Sequence, residues 1–336
     1  MIQRVGDSRF YAEPRLCGAA ALMDEVSECK WPACLMMMAL QIPVLSASVC
    51  LRRPLILIFQ PMPELPEVEV TRRGVAPHLE GQRVTAVTMR RSGLRWPFPP
   101  DLAQRLVGQR VTKAGRRGKY LLIGFPHGTL IVHLGMSGHL RILPLEPAIA
   151  PNLHDHFDLV MEACVMRMTD PRRFGAVLWH DAADGKVDEH ILLRGLGLEP
   201  LEAGFTAKLL HRLTRNRSAA IKQVLLAGDI VVGVGNIYAS ESLFKAGINP
   251  QTSASRISFA RYEKLVLAIQ ETLAAAIEQG GSSLRDFIAV NGQSGYFQQN
   301  YFVYNRTGEP CRICETPVRQ IKQGQRSTFY CVRCQR

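Results

Sequence analysis

Four cysteines lie near the end of the chain as two Cys-x-x-Cys pairs, Cys311 with Cys314 and Cys331 with Cys334, with sixteen residues between the pairs. No other feature limits the fold as tightly, because four thiolates so spaced can close a tetrahedron around one structural zinc ion. The segment between the pairs is basic, has Glu315 as its single acid, and contains Thr328, Phe329 and Tyr330, which suit a short strand. Two disulfide-bonded hairpins are the competing reading. The chain carries no strong secretory signal, which favours zinc. A metal-clipped basic hairpin is suited to lie against phosphates.

The charge balance points the same way. A formal net charge of +12 over 336 residues favours a polyanionic partner, nucleic acid ahead of an anionic membrane. Residues 1–62 hold six Lys/Arg and five Asp/Glu, so nearly all the excess lies beyond them. Residues 1–61 also differ in texture. Their apolar stretch, Trp31–Leu51, is interrupted by Pro32, Gln41 and Pro43, which makes it marginal as a membrane span. It also lacks the order of a signal peptide, whose positive region comes first. We read 1–61 as an unassigned extension, either disordered or the product of a misassigned start.

From Met62 the pattern is globular. Residues 63–81 read as a helix, with Pro63, Pro66 and acids at its start, Val68, Val75 and Leu79 near helical spacing, and Gly81 after it. Short β-rich runs follow: "RVTAVTM", "KYLLIGF", "GTLIVHLGM", "HFDLVMEA" and "FGAVLWH". Their number and brevity predict a β-sandwich rather than a βαβ sheet. The period then turns helical, with two short helices, "SAAIKQVLLAG" and "NIYASESLFKAG", around "DIVVGVG". A long helix over 258–281 ends at paired glycines. The expected fold is α+β. A β-sandwich domain with flanking helices spans 62–195, a helical domain 205–292 and a zinc-finger β-hairpin 295–336.

The motifs "MPELPEVEVTRRG", "GRRGKYLL", "HLGMSG", "TDPRRFGA" and "VVGVGNIYASESLFKAGI", followed by the cysteine pairs, occur in one order. Together they resemble the bacterial formamidopyrimidine-DNA glycosylases, from Met62 to Arg336. The resemblance implies a base-excision repair enzyme that removes 8-oxoguanine and formamidopyrimidines from duplex DNA and then cuts the strand by β,δ-elimination. It also implies a helix–two-turns–helix domain, one structural Zn2+, and duplex DNA with oxidised bases or abasic sites as partner. The enzyme would be a monomer without a membrane, cytoplasmic and nucleoid-associated in a bacterium. The sister family, endonuclease VIII, prefers oxidised pyrimidines; "ELPEVE" and "DPRRFG" look like the purine branch.

The resemblance carries roles to individual residues. Pro63 maps to the N-terminal proline whose secondary amine attacks C1′ and forms a Schiff base. An α-amino group has a pKa of about 8 against about 10.4 for lysine, so it is far more often neutral near pH 7.5. Glu64 takes the acid/base role. Lys119 matches the lysine that contacts the backbone and assists β-elimination, and Arg326, expected in the hairpin turn, matches the arginine that assists δ-elimination. His154, Arg172, Arg217, Lys222 and Asn236 match DNA-contacting positions, Lys222 lining the lesion side. Met136, Arg172 and Phe174 match the residues that fill the void left by a flipped base. Read locally, Asn236 is equally an N-cap, Lys119 a solvated lysine at a strand start, and Met136 a core residue. "NGQSGYFQQN" at 291–300 resembles the loop that closes over the flipped base. Cys164 reads as a buried strand residue.

One departure matters. With residues 1–62 attached, the Pro63 nitrogen is a tertiary amide with no basic lone pair, and such a chain reads as a non-catalytic lesion- or abasic-site-binding protein. The expectation is that the native protein begins at Pro63, after a start at Met62.

Overall fold

The computed structural model describes residues 63–281 and 301–336. The extension and the 291–300 loop lie outside the described residues.

Helix α1, Leu65–Leu79, begins where the sequence reading places it. Glu67 reaches back to accept the Glu64 backbone N–H at 2.9 Å, and Pro66 sits in the first turn, where no N–H is needed. Val68, Val75 and Leu79 are buried along one stripe. Eight strands follow in two antiparallel four-stranded sheets. The first contains β1 (Val84–Met89), β6 (Asp155–Met161), β7 (Cys164–Thr169) and β5 (His139–Pro144), in that spatial order. The second contains β2 (Lys113–Arg117), β3 (Tyr120–Phe125), β4 (Gly128–His133) and β8 (Ala176–Asp181). Leu121, Ile123, Leu130 and Val132 from one sheet meet Phe157, Leu159, Met166 and Met168 from the other in one core. This is the predicted β-sandwich, with α1 packed on it and the short α2, Leu102–Leu106, beneath β1. Cys164 is buried at the start of β7, as expected.

The helical part contains α3 (Ala207–Thr214), α4 (Ile221–Ala227), α5 (Asn236–Lys245) and α6 (Phe259–Glu278) around a second core that includes Leu225, Ile237, Tyr262 and Leu273. Helices α4 and α5, with the connection 228–235, form the helix–two-turns–helix. Helix α6 ends at Gly280 and Gly281, both at positive φ. The chain closes in the hairpin β9 (Arg319–Gln323) and β10 (Arg326–Tyr330). Phe329 and Val318 of the finger pack against Phe244 of α5. The last residues are tied to the helical part, with Gln335 Nε2 donating to the Ile248 carbonyl at 2.9 Å. Among the described residues no helix is long and apolar enough to cross a membrane.

Candidate active site and nucleic-acid interface

The site is built where α1, the β2–β3 turn, the start of α5 and the zinc hairpin converge. Glu64, adjoining the buried Pro63, is 2% exposed. Its carboxyl oxygens accept N–H groups from the start of α5: Gly235 at 2.9 Å, Ile237 at 3.0 Å and Tyr238 at 3.4 Å. Helix N-terminal N–H groups favour the ionised form. Burial opposes them more strongly and pushes the carboxyl up to about 7, while the Lys119 ammonium pulls it down. The glycines of "VVGVGN" find their reason here. A Cβ on Gly235 would lie 2.2 Å from Glu64 Cδ, and one on Gly233, at φ +83°, would lie 2.6 Å from Leu65 Cδ1. They admit α1 to α5.

Lys119 stands in the turn between β2 and β3 and is half-buried, not a solvated residue at a strand start. Burial pushes its amine below the usual lysine value and Arg326 adds to that, while Glu64 opposes it. Asn236 is the first residue of α5; Gly235 holds the N-cap position, so the N-cap reading of Asn236 does not stand. Its side-chain amide donates to the Ser327 carbonyl at 3.0 Å, next to Arg326. Arg326 is exposed and opens β10, opposite Gln323, one residue beyond the Gly324–Gln325 turn in which it was expected.

Lys222 departs furthest from expectation. It is fully buried, and its ammonium donates to Thr328 Oγ1 at 2.9 Å and the Ser327 carbonyl at 3.1 Å. Its pKa is lowered to about 7, mainly by burial. It therefore links α4 to the hairpin, and in this arrangement offers no surface to DNA.

His133, at the end of β4, was missed by sequence reasoning although it opens the "HLGMSG" motif. Its Nδ1 accepts the Gly135 N–H at 3.1 Å, which leaves Nε2 as the protonated nitrogen of a neutral ring. Burial, with Lys119 and Arg95 nearby, holds its pKa down to about 4, so the ring is an uncharged donor at neutral pH.

A second group adjoins the first through residues 133–136. Ser137 Oγ donates to Asp170 Oδ1 at 2.8 Å and accepts the Arg172 N–H at 3.1 Å, fastening the β4–β5 turn to the β7–β8 turn. A Cβ on Gly135 would lie 2.4 Å from the Gly175 nitrogen, so only glycine permits this approach. Met136, Arg172 and Phe174 are thereby brought to one tip. Phe174 is 45% exposed, and the Arg172 guanidinium lies 5.2 Å from its ring centre. Met136 is half-exposed rather than core. His154 is exposed beside them, its carbonyl accepting the Asp170 N–H at 2.9 Å. Arg217 stands apart and is ion-paired with Asp229 at 2.5 Å.

The four sulfurs of Cys311, Cys314, Cys331 and Cys334 lie within 4.8 Å of one another, and none is in a disulfide. The Cys311–Cys334 sulfur separation is 3.8 Å and that of Cys314–Cys331 is 3.4 Å. A zinc–sulfur bond of about 2.3 Å gives tetrahedral edges of about 3.8 Å. The site fits one structural zinc, as expected.

Three family models match in order: the formamidopyrimidine-DNA glycosylase N-terminal domain over 62–177, its H2TH domain over 196–288, and the zinc finger found in FPG and IleRS over 308–336. The formamidopyrimidine-DNA glycosylase of Janthinobacterium sp. (strain Marseille) is 72% identical over 275 residues, which are 82% of this chain and 100% of that protein. That of Paraburkholderia phytofirmans is 59% identical over 278 residues, 82% of this chain and 100% of the relative. Among solved structures, the MutM (Fpg) protein of Thermus thermophilus matches with a TM-score of 0.73 at 36% identity, covering 81% of this chain and 98% of that one. Lactococcus lactis Fpg in complex with abasic-site DNA matches with a TM-score of 0.75 at 31% identity, covering 81% and 99%.

Proposed function

The chain belongs to the formamidopyrimidine-DNA glycosylase family, and from that premise we propose how its own residues carry out excision and strand cleavage. It is a base-excision repair glycosylase with AP lyase activity that uses one structural zinc and acts on duplex DNA. We assign it oxidised purines and their formamidopyrimidines as substrates and a monomer as the working form. The observation that carries the proposed chemistry is Glu64, a buried carboxyl pushed up to about 7 next to Pro63 and near the lowered amine of Lys119; the substrate and monomer assignments rest on the family.

In this reading the Pro63 nitrogen, once free, attacks C1′ while the damaged base leaves with its bonding electron pair and takes up a proton. Ionised Glu64 receives the proton that the secondary ammonium must lose. The adduct nitrogen then loses its remaining proton and the C1′–O4′ bond breaks, O4′ taking up a proton as the sugar ring opens, and the resulting iminium makes the C2′ hydrogens acidic. Removal of one expels the 3′ phosphate by β-elimination, and a further proton loss expels the 5′ phosphate by δ-elimination. Lys119, His133 and Asn236 are assigned to the phosphates beside the lesion, and Arg326 to the departing one, by charge-assisted hydrogen bonds. Met136, Arg172 and Phe174 take the space of the flipped nucleotide, and His154 holds the backbone nearby. Arg217 reaches DNA only by exchanging Asp229 for a phosphate. Lys222 acts on the lesion side through the hairpin it anchors. The domain limits 62–195, 205–292 and 295–336 are kept as the working division.

The active form in this proposal begins at Pro63, because an acylated proline nitrogen cannot form an iminium. Relatives wholly covered by 275 residues of this chain support that limit. A panel of duplexes carrying 8-oxoguanine, a formamidopyrimidine or an oxidised pyrimidine tests the substrate assignment. Faster excision of the purine lesions is expected; preference for the pyrimidines would place the chain with endonuclease VIII-type activity.

A further inference from the structure

Lys119 is carried by a tight turn, and the arginines of its "RRGKY" motif point inward. Arg116 donates to Glu199 Oε2 at 2.8 Å and to Glu69 at 3.2 Å. Arg117 donates to Glu199 Oε1 at 3.1 Å and to the carbonyls of Leu196 and Gly197 at 2.9 and 2.6 Å. The N–H of Gly118, the residue before Lys119, donates to the same Glu199 Oε1 at 2.6 Å. Glu199 is 8% exposed and lies in the segment that leads from the sandwich into the helical part. One buried carboxylate thus takes donors from three consecutive residues, the last two of β2 and the first of the turn. The packing is as close: a Cβ on Gly118, at φ +55°, would lie 2.4 Å from Val232 Cγ2, in the connection that leads to α5 and the N–H groups holding Glu64.

We propose that Glu199 is a positioning residue for the lyase reaction, fixing the β2–β3 turn so that Lys119 meets the same substrate phosphate as the groups of the helical part. Two basic residues that would otherwise count as DNA contacts are committed to this clamp. A carboxylate serves the purpose because it accepts from two guanidinium groups and a backbone N–H at once. Displacing a reacting group by about 1 Å can cost on the order of a hundredfold in rate, so the clamp matters to turnover more than to affinity.

The inference rests on the assignment of Lys119 to β-elimination, and the test separates the two. Single-turnover β-elimination on abasic duplex and Kd for the same duplex are measured for Glu199→Gln, Lys119→Met and the double variant, each starting at Pro63. Glu199→Gln should slow the step by about 10- to 100-fold with Kd changed by less than about threefold, and the double variant should be no slower than Lys119→Met. If Lys119→Met alone reacts at the wild-type rate, the lysine assignment fails. If Lys119→Met is slow but the two effects multiply, or if rate and affinity fall together, the positioning role fails. Should Glu199→Gln not fold, Gly118→Ala perturbs the same turn while leaving the Glu199 side chain in place: it is strained at φ +55° and its Cβ would meet Val232 Cγ2. It should slow β-elimination with Kd changed by less than about threefold. A wild-type rate for Gly118→Ala, or a loss of affinity that matches the loss of rate, would overturn the proposal.

Discussion

The proposed mechanism gives Glu64 the acid/base work. Burial raises its carboxyl towards neutrality, and the N–H groups of α5 and the Lys119 ammonium stop the rise at about 7, where a group can both take and give a proton near neutral pH. Glu64→Gln should lower the excision rate by about 10²- to 10⁴-fold and remove the rise of rate with pH centred near 7, with lesion-DNA affinity retained. The same carboxyl leaves a mark on stability. It titrates near 4.5 in an unfolded chain and near 7 in the folded one, so between those values the folded state holds the extra proton. Stability from this group is therefore full below 4.5 and lost as pH rises through 7, by on the order of 3 kcal/mol. Denaturant melts at pH 5 and pH 8 should show Glu64→Gln gaining on the wild type at the higher pH; a pH-independent difference would contradict the assignment. The Pro-Glu pair was legible in the sequence as a helix start and, by resemblance, as a reactive terminus. Its environment was not, because the N–H groups that hold Glu64 belong to residues 235–238, in another part of the molecule. His133 was illegible for a similar reason: it ends a regular strand, and only the folded turn fixes its tautomer.

At the scale of elements, the start of α5 and the zinc hairpin do the positioning. Gly235→Ala would drive a methyl into the Glu64 carboxyl. Overpacking of this kind costs about 1–3 kcal/mol, and the displaced acid should lower excision at least about tenfold, read by thermal melting and single-turnover assay. The hairpin is too small to hold its shape without metal, since two strands with little core are marginal in water. Stripping zinc with a strong chelator should abolish tight lesion binding in a mobility-shift assay, while the melting of the β-sandwich persists. Strands β1, β3, β4, β6 and β8 and helices α1, α4, α5 and α6 were readable from period and punctuation. Strand β2 was not, because its Arg116 and Arg117 pair inward and break the alternation expected of a half-buried strand. Helix α2 has five residues, too few to show a helical period, and α3 depends on a cap at Thr206, whose hydroxyl accepts the Leu209 N–H.

Among the described residues, α1 touches both the sandwich and α6, and β10 of the metal-clipped finger packs on α5; the reacting groups proposed above are drawn from all three parts. The excess positive charge serves two ends. Arg167 is buried and Arg116 and Arg117 are half-buried in ion pairs that hold the fold, whereas Arg326 is exposed. Arg326→Ala should reduce the slope of log affinity against log salt by about one. Arg217→Ala should reduce it by less, because Asp229 already neutralises that guanidinium. Binding titrations at several salt concentrations check both, and equal slopes for the two variants would contradict the distinction. Zinc binding belongs to the finger, and neither it nor DNA binding reports on catalysis. In the proposed mechanism catalysis depends on the Pro63 nitrogen, and the most direct measurement is borohydride trapping on lesion-containing duplex. Protein beginning at Pro63 should give a covalent adduct that peptide mapping assigns to the Pro63 nitrogen, and protein retaining residues 1–62 should give none. An equal yield of adduct from the longer chain, or an adduct mapped to any residue other than Pro63, would contradict the account.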